Sequence, residues 1–205
     1  MTTGHSSARQ RLLETARELF YHEGIRAIGV DTIVERSGVG KATLYRHFPT
    51  KDDLIAAYIE EEDRAHLQWF DDVTGSERPP KELLLAWLDD CEQRIQEPGF
   101  RGCPFLNAMA EIADTEHPAY QSAARHERAL RDRLAQLCRQ AGARDPEQLA
   151  DQLLLVVNGA LASAPLFGEA SPAHQLTTIA AHLIDLQLER AENTSHRFVK
   201  EGEHG

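Results

Sequence analysis

Apolar residues recur at three- and four-residue spacing in segment after segment of this 205-residue chain, a period that admits little besides packed helices. In the segment from Ala8 to His22, Leu12, Leu13, Ala16, Leu19 and Phe20 form one stripe. Val30, Ile33 and Val34 mark a short second helix, and Leu54, Ile55, Tyr58, Ile59, Ala65 and Trp69 a long fourth one. No alternating, β-branched run flanked by hairpin dipeptides interrupts the pattern. The spacing predicts an all-α protein of about nine helices.

Glycine and proline punctuate it. Gly24 sits where a left-handed cap would end the first helix, and Gly38 allows a sharp turn after the second. Pro49 stops a third helix, Lys41 to Phe48, because the residue before a proline is pushed out of helical geometry. Thr50 followed by Asp53 reads as the cap of the fourth. After a loop from Gly75 to Pro80, further helices are expected at 81–97, 104–113, 118–140, 146–168 and 173–192. The tail from residue 194 has no apolar face and is expected to be disordered. The expected division is a head at 1–51, a body at 52–193 and a tail at 194–205.

The net charge of −11 argues against a nucleic-acid partner only when taken as one number. The first 51 residues hold eight Lys and Arg against five Asp and Glu, a balance of +3, and the rest holds fourteen against twenty-eight, or −14. A basic head on an acidic body can grip phosphate locally while the body avoids unspecific contact with DNA. No uninterrupted apolar run reaches a membrane span, Leu153 to Phe167 being the nearest and broken by Asn158, Ser163 and Pro165. MTTGHSSARQ carries no apolar signal core. Cys91, Cys103 and Cys138 lie far apart without a CxxC pair, which fits a reducing compartment. The expected address is cytoplasmic, with no membrane, metal or cofactor.

The segment GVGKATLYRHF, Gly38 to Phe48, concentrates the chemistry. Leu44 and Phe48 fall one turn apart on the apolar side and should pack on Leu19, Ile33 and Val34, leaving Lys41, Ala42, Thr43, Tyr45 and Arg46 outward. In a helix-turn-helix the start of the second helix reaches base edges and its flanks hold phosphate. Lys41 suits guanine O6 and N7, and Ala42 a thymine methyl. Thr43, Tyr45 and His47 are donors suited to phosphate oxygens, and Lys51 opens the fourth helix where free N–H groups could share a phosphate. A phosphate-loop reading of GVGKAT fails, for want of glycine at Glu35 and Ser or Thr at Ala42. No HExxH, GxSxG or His–Cys metal spacing points to an enzyme.

GVGKATLYRHFPTKDDL, preceded by VDTIVERS, resembles the signature of the TetR family of bacterial transcriptional repressors, and GCPFLNAMAE after Arg101 is similar to a subgroup of them. The resemblance implies a three-helix DNA-binding head on a larger helical domain that binds a ligand and dimerises. It also implies that the positions of Lys41, Ala42, Thr43, Tyr45 and Lys51 contact a double-stranded operator. Gly40 departs from the serine that family members often place there as a cap, and supplies no side-chain acceptor. Asp31 favours the helix dipole yet repels a nearby phosphate, which makes its neighbour Thr32 the weaker contact candidate.

In the body, Leu153, Val157, Ala160 and Ala164, with Ile179, Leu183 and Leu186, are expected to pair two copies through a four-helix interface. Apolar residues beyond one face (Leu154, Leu155, Leu161, Ile184, Leu188) exceed what one core can take. The ligand domain implied by the resemblance would draw on Trp69, Trp87, Leu88, Cys91, Phe105, Met109 and Leu154. Asn107 and Asn158 are its polar candidates, and a small, mostly apolar effector is expected. The alternatives are a helical ligand-binding or enzymatic protein whose helix-turn-helix no longer binds DNA, and a redox sensor built on Cys103.

Overall fold

The computed structural model describes residues 7–200, with the backbone alone for Glu169 and residues 189–200. Among the described residues there are nine α-helices and no strand: α1 (Ala8–Glu23), α2 (Val30–Ser37), α3 (Lys41–His47), α4 (Lys51–Thr74), α5 (Pro80–Ile95), α6 (Pro104–Glu111), α7 (Pro118–Gln140), α8 (Pro146–Phe167) and α9 (Leu176–Lys200). The all-helical expectation holds. Ser7 accepts from Gln10 N–H to start α1, and Gly24 ends it at a φ of 95° that a side chain would strain. Thr50 and Asp53 form a reciprocal capping box at α4, each side chain bonded to the other's backbone N–H. Asp145 caps α8 by accepting from Gln148 N–H, and Pro165 removes a backbone donor two residues before the helix stops.

The last helix departs from expectation at both ends. Pro172–Gln175 is a 3-10 turn, with Ser171 accepting from Ala173 N–H, and the α-helix starts at Leu176. At the other end α9 continues to Lys200, so residues 194–200 are helical instead of disordered. No glycine or proline intervenes before Gly202, so nothing local stops the helix. Residues 201–205 of the expected tail lie outside the described residues.

The chain divides into two compact units, Met1–His66 with Cys103–Glu127 and Leu67–Gly102 with Arg128–Gly205. This is not the division expected at residue 51. The first half of α4 packs with α1 through Tyr58 on Phe20 and through Glu62 paired with Arg17. From α6, Glu111 reaches the turn between α1 and α2, accepting Arg26 N–H at 2.8 Å. The helix-turn-helix therefore belongs to a unit larger than three helices.

The second unit is organised on one apolar core. Leu84, Trp87 and Leu88 of α5 meet Leu149 and Leu153 of α8 and Leu176, Ala180 and Ile184 of α9, all nearly inaccessible to solvent. Among the described residues α8 is the one helix long and apolar enough, by length and composition, to cross a membrane. Its stripe from Leu149 to Ala164 lines this core.

Candidate nucleic-acid interface

The turn into α3 is made by Gly38 at a φ of 64°, where glycine alone sits without strain. Gly40 then caps α3 through its carbonyl, which accepts from Thr43 and Leu44 N–H at 2.9 and 3.1 Å, and no side-chain acceptor assists. Leu44 and Phe48 are buried, as the spacing predicts. That leaves Lys41, Ala42, Tyr45 and Arg46 exposed and Thr43 and His47 half-buried along one outward row. Thr32, on α2, is half-buried as well.

Two of the expected phosphate or base contacts are already engaged. The Lys41 ammonium lies 2.6 Å from the Asp31 carboxylate, and this hydrogen bond, followed by the charge, raises the lysine above its ordinary pKa. Lys51 does not stand free above the α4 N-terminus. Its ammonium donates to the Ile25 carbonyl at 2.6 Å and lies 5.8 Å from the centre of the Phe20 ring. Burial lowers its pKa, against the raising influence of Asp52 and Glu111. The turn after Gly24 presents that carbonyl inward, which no local pattern announces.

Around the same turn, His117 Nδ1 accepts from Ala119 N–H at 3.1 Å and its Nε2 lies 3.4 Å from Asp52, at the start of α4. Deeper in this unit, His126 is bonded through Nδ1 to Asp63 at 2.8 Å and stacks on Phe105 at 3.6 Å. His66 meets both rings edge-on. Sequence reasoning missed the ties of these histidines to Asp52, Asp63 and Phe105, because those partners are tens of residues apart and share no motif.

The nine effector candidates do not come together in one unit. Phe105, Asn107 and Met109 belong to the first, where Phe105 is fully buried against His126. Trp69, Trp87, Leu88, Cys91, Leu154 and Asn158 belong to the second. There Trp87 packs against Trp69 and Phe70 with ring centres 6.3 and 5.5 Å away. Trp69 donates its indole N–H to Asp90, and Arg94 lies over its ring. The buried Trp87 Nε1–H has no acceptor, and the Thr177 hydroxyl is likewise buried without a partner.

The expected dimer residues need correction. Leu153, Val157, Ala160 and Ala164 are buried in the unit's own core, and Leu183 is half-buried against it. An apolar helix with two stripes does not announce which one its own core takes. The outward stripe is Leu155, Gly159, Ala162 and Leu166, spaced by four, three and four residues. Leu155 is 75% exposed and Leu166 77%. Ile179 and Leu186 on α9 are exposed, as a partner-facing role requires.

All three cysteines are buried. Burial pushes the thiols of Cys103 and Cys138 up to about 12, and that of Cys91 up as well. A reactive thiolate needs the opposite environment.

Comparison with known proteins agrees with this architecture. Residues 12–58 match the family described as "Bacterial regulatory proteins, tetR family", and residues 80–180 the "Tetracyclin repressor-like, C-terminal domain". A TetR-family transcriptional regulator from Streptomyces coelicolor is similar in structure with a TM-score of 0.80 and 35% identity, over 90% of this chain and 95% of that one. A putative regulator of the same kind from Streptomyces avermitilis MA-4680 gives 0.78 and 33%, over 91% and 98%. An HTH-type transcriptional regulator of Staphylococcus aureus (strain bovine RF122 / ET3-1) is 33% identical over 81 residues, 40% of this chain, and the match spans 44% of that relative's length. These relatives are transcriptional regulators and not enzymes, as the lack of a catalytic motif suggested. With residues 12–58 and 80–180 matched and a similar fold over 90% of its length, the chain belongs to the TetR family of transcriptional regulators.

Proposed function

We propose that this regulator is a repressor that binds a roughly palindromic operator as a homodimer and leaves it when a small, mostly apolar effector binds. The observation that carries the reading is the outward row of α3: Lys41, Ala42, Tyr45 and Arg46 are held in the open by a buried Leu44 and Phe48. Such a row contributes little to the fold, and its donors match base edges and phosphates. The protein acts where bacterial DNA is, in the cytoplasm.

The outward stripe of α8, with Ile179 and Leu186 of α9, supports pairing. Exposed leucines in line on a helix with small residues between them mark a contact surface. A two-fold pair would set two recognition helices about 34 Å apart, in successive major grooves. Replacing Leu155 and Leu166 with Asp should yield a monomer of unchanged helicity by sedimentation. A double variant that remains a dimer sinks the pairing surface.

For the effector, the second unit offers Trp87, whose buried N–H lacks an acceptor, among Trp69, Leu88 and Cys91. A ligand with an apolar body and one acceptor would satisfy it. Helix α4 runs from the first unit into the second, so a tilt of α4 on effector binding would move the reading helix. The test of the whole reading is a mobility-shift and footprint assay on the protein's own promoter region. The wild type should protect a two-fold site, and K41A with Y45A should abolish protection while leaving effector-induced stabilisation intact. Equal, weak binding to all DNA would favour a body that outlived its DNA-binding role.

The burial of the three thiols speaks against a redox sensor. Iodoacetamide should leave the native protein unlabelled at a pH where the denatured chain is labelled three times. Rapid labelling of Cys103 in the native protein would restore the redox reading.

A further inference from the structure

We infer that Asp31 and Lys41 together read a single C·G base pair of the operator, with Asp31 as a specificity-determining residue that selects cytosine. The inference rests on the operator-binding function proposed above and concerns which base is read. Its starting point is a misfit. Asp31 puts a carboxylate, 81% exposed, on the face of the chain that should meet a polyanion. Near phosphates alone it would weaken binding. Beside a base edge it has a use, because cytosine N4 offers a major-groove donor that a carboxylate can accept.

The geometry adds a constraint. The Lys41 ammonium and the Asp31 carboxylate oxygen lie 2.6 Å apart, and both side chains are more than half exposed. In a C·G pair the cytosine N4 donor and the guanine O6 acceptor are themselves hydrogen-bonded, at about 2.9 Å. An ammonium beside a carboxylate at nearly that spacing is the complement of the base-pair edge. The ammonium keeps one N–H on Asp31 and gives another to O6 or N7, and the carboxylate uses a further lone pair for the outer N4–H. The bond between the two side chains holds both groups in register without a separate ordering cost at the interface.

The other pairs fit worse. With adenine in place of cytosine, the N7 acceptor beside the amino group would face the carboxylate. Thymine opposite it would present its methyl group near the ammonium. Reversing the pair to G·C would put acceptor against carboxylate and donor against ammonium.

The favourable effect of Asp31 in the first turn of α2 on the helix dipole is the competing explanation. It predicts altered stability with no change in base preference. The two separate in a binding-site selection from a random duplex pool, run with the full-length wild type, D31A, D31N and K41A. The wild type should select cytosine at one position in each half-site. D31A should lose about tenfold of discrimination there, and K41A should lose it at the same base pair. D31N should move the preference toward adenine, because an amide can accept from N6–H and donate to N7. If D31A raises affinity for every duplex by one common factor and keeps each preference, the carboxylate is only a brake on phosphate contact and the inference falls. If the wild type selects no sequence at all, the operator-binding function falls and takes this inference with it.

Discussion

Both units of this regulator enclose an apolar core, and they differ in the ties that join distant stretches of sequence across it. The unit carrying the helix-turn-helix encloses Leu12, Ile33, Leu44, Leu54 and Ile59 and adds directional ties across long stretches of sequence: Arg17 to Glu62, Lys51 to the Ile25 carbonyl, Glu111 to Arg26 N–H, and Asp63 to His126. The other encloses Trp87, Leu88, Leu149 and Leu153, keeps its ion pairs at the surface, and is tied across the sequence by Thr177 N–H to Glu92 and Asp145 N–H to Gln187. Apolar burial scales with area and tolerates small displacements, whereas a hydrogen bond loses its value steeply with angle and distance. A module that must present a few donors in register gains from the second kind of constraint.

Substitutions can break this comparison. Truncating Leu88 to Ala in the second unit should cost about 2–5 kcal/mol, the lost transfer energy plus a cavity, by urea denaturation. A smaller cost would mean that this core collapses easily. Next comes Arg17→Ala, which leaves the buried Glu62 carboxylate without its partner and should cost about 1–3 kcal/mol. Adding Glu62→Gln should return part of that loss, and a double variant no better than the single one would show that the tie is ornamental. Glu111→Ala should cost only about 1 kcal/mol, one hydrogen bond to Arg26 N–H, yet weaken operator binding more than its stability loss explains. Stability and operator affinity falling in proportion would remove the positioning role. Last, Arg131→Ala on the surface of the second unit, which breaks the pair with Asp151, should leave the melting temperature essentially where it is.

Most of the helix layout was legible in the sequence, because apolar period, caps and prolines act within a few residues. Thr50 with Asp53 caps α4 where the pattern places a cap, and the burial of Leu44 and Phe48 follows from their spacing. The outward row of α3 was legible for the same reason. What was not legible depends on partners distant in sequence. The sequence suits Lys51 to phosphate and Phe105 to a ligand, whereas the folded chain puts Lys51 on the Ile25 carbonyl and stacks Phe105 on His126. The outward stripe of α8 is not legible because Leu153 and Leu155 are equally apolar, and only the fold decides which one the core claims. The continuation of α9 past Asn193 is not legible in an apolar face, which the segment lacks, but only in its lack of a helix breaker.

The two-unit division has a spectroscopic consequence. Both tryptophans, Trp69 and Trp87, lie in the second unit, and all four tyrosines, Tyr21, Tyr45, Tyr58 and Tyr120, lie in the first. Selective excitation of indole therefore reports on one unit alone, and the ultraviolet difference signal of the phenols on the other. Whether the reading unit melts with the body or ahead of it, and whether an effector felt by the body is also felt at Tyr45, can be followed in the unlabelled wild-type protein.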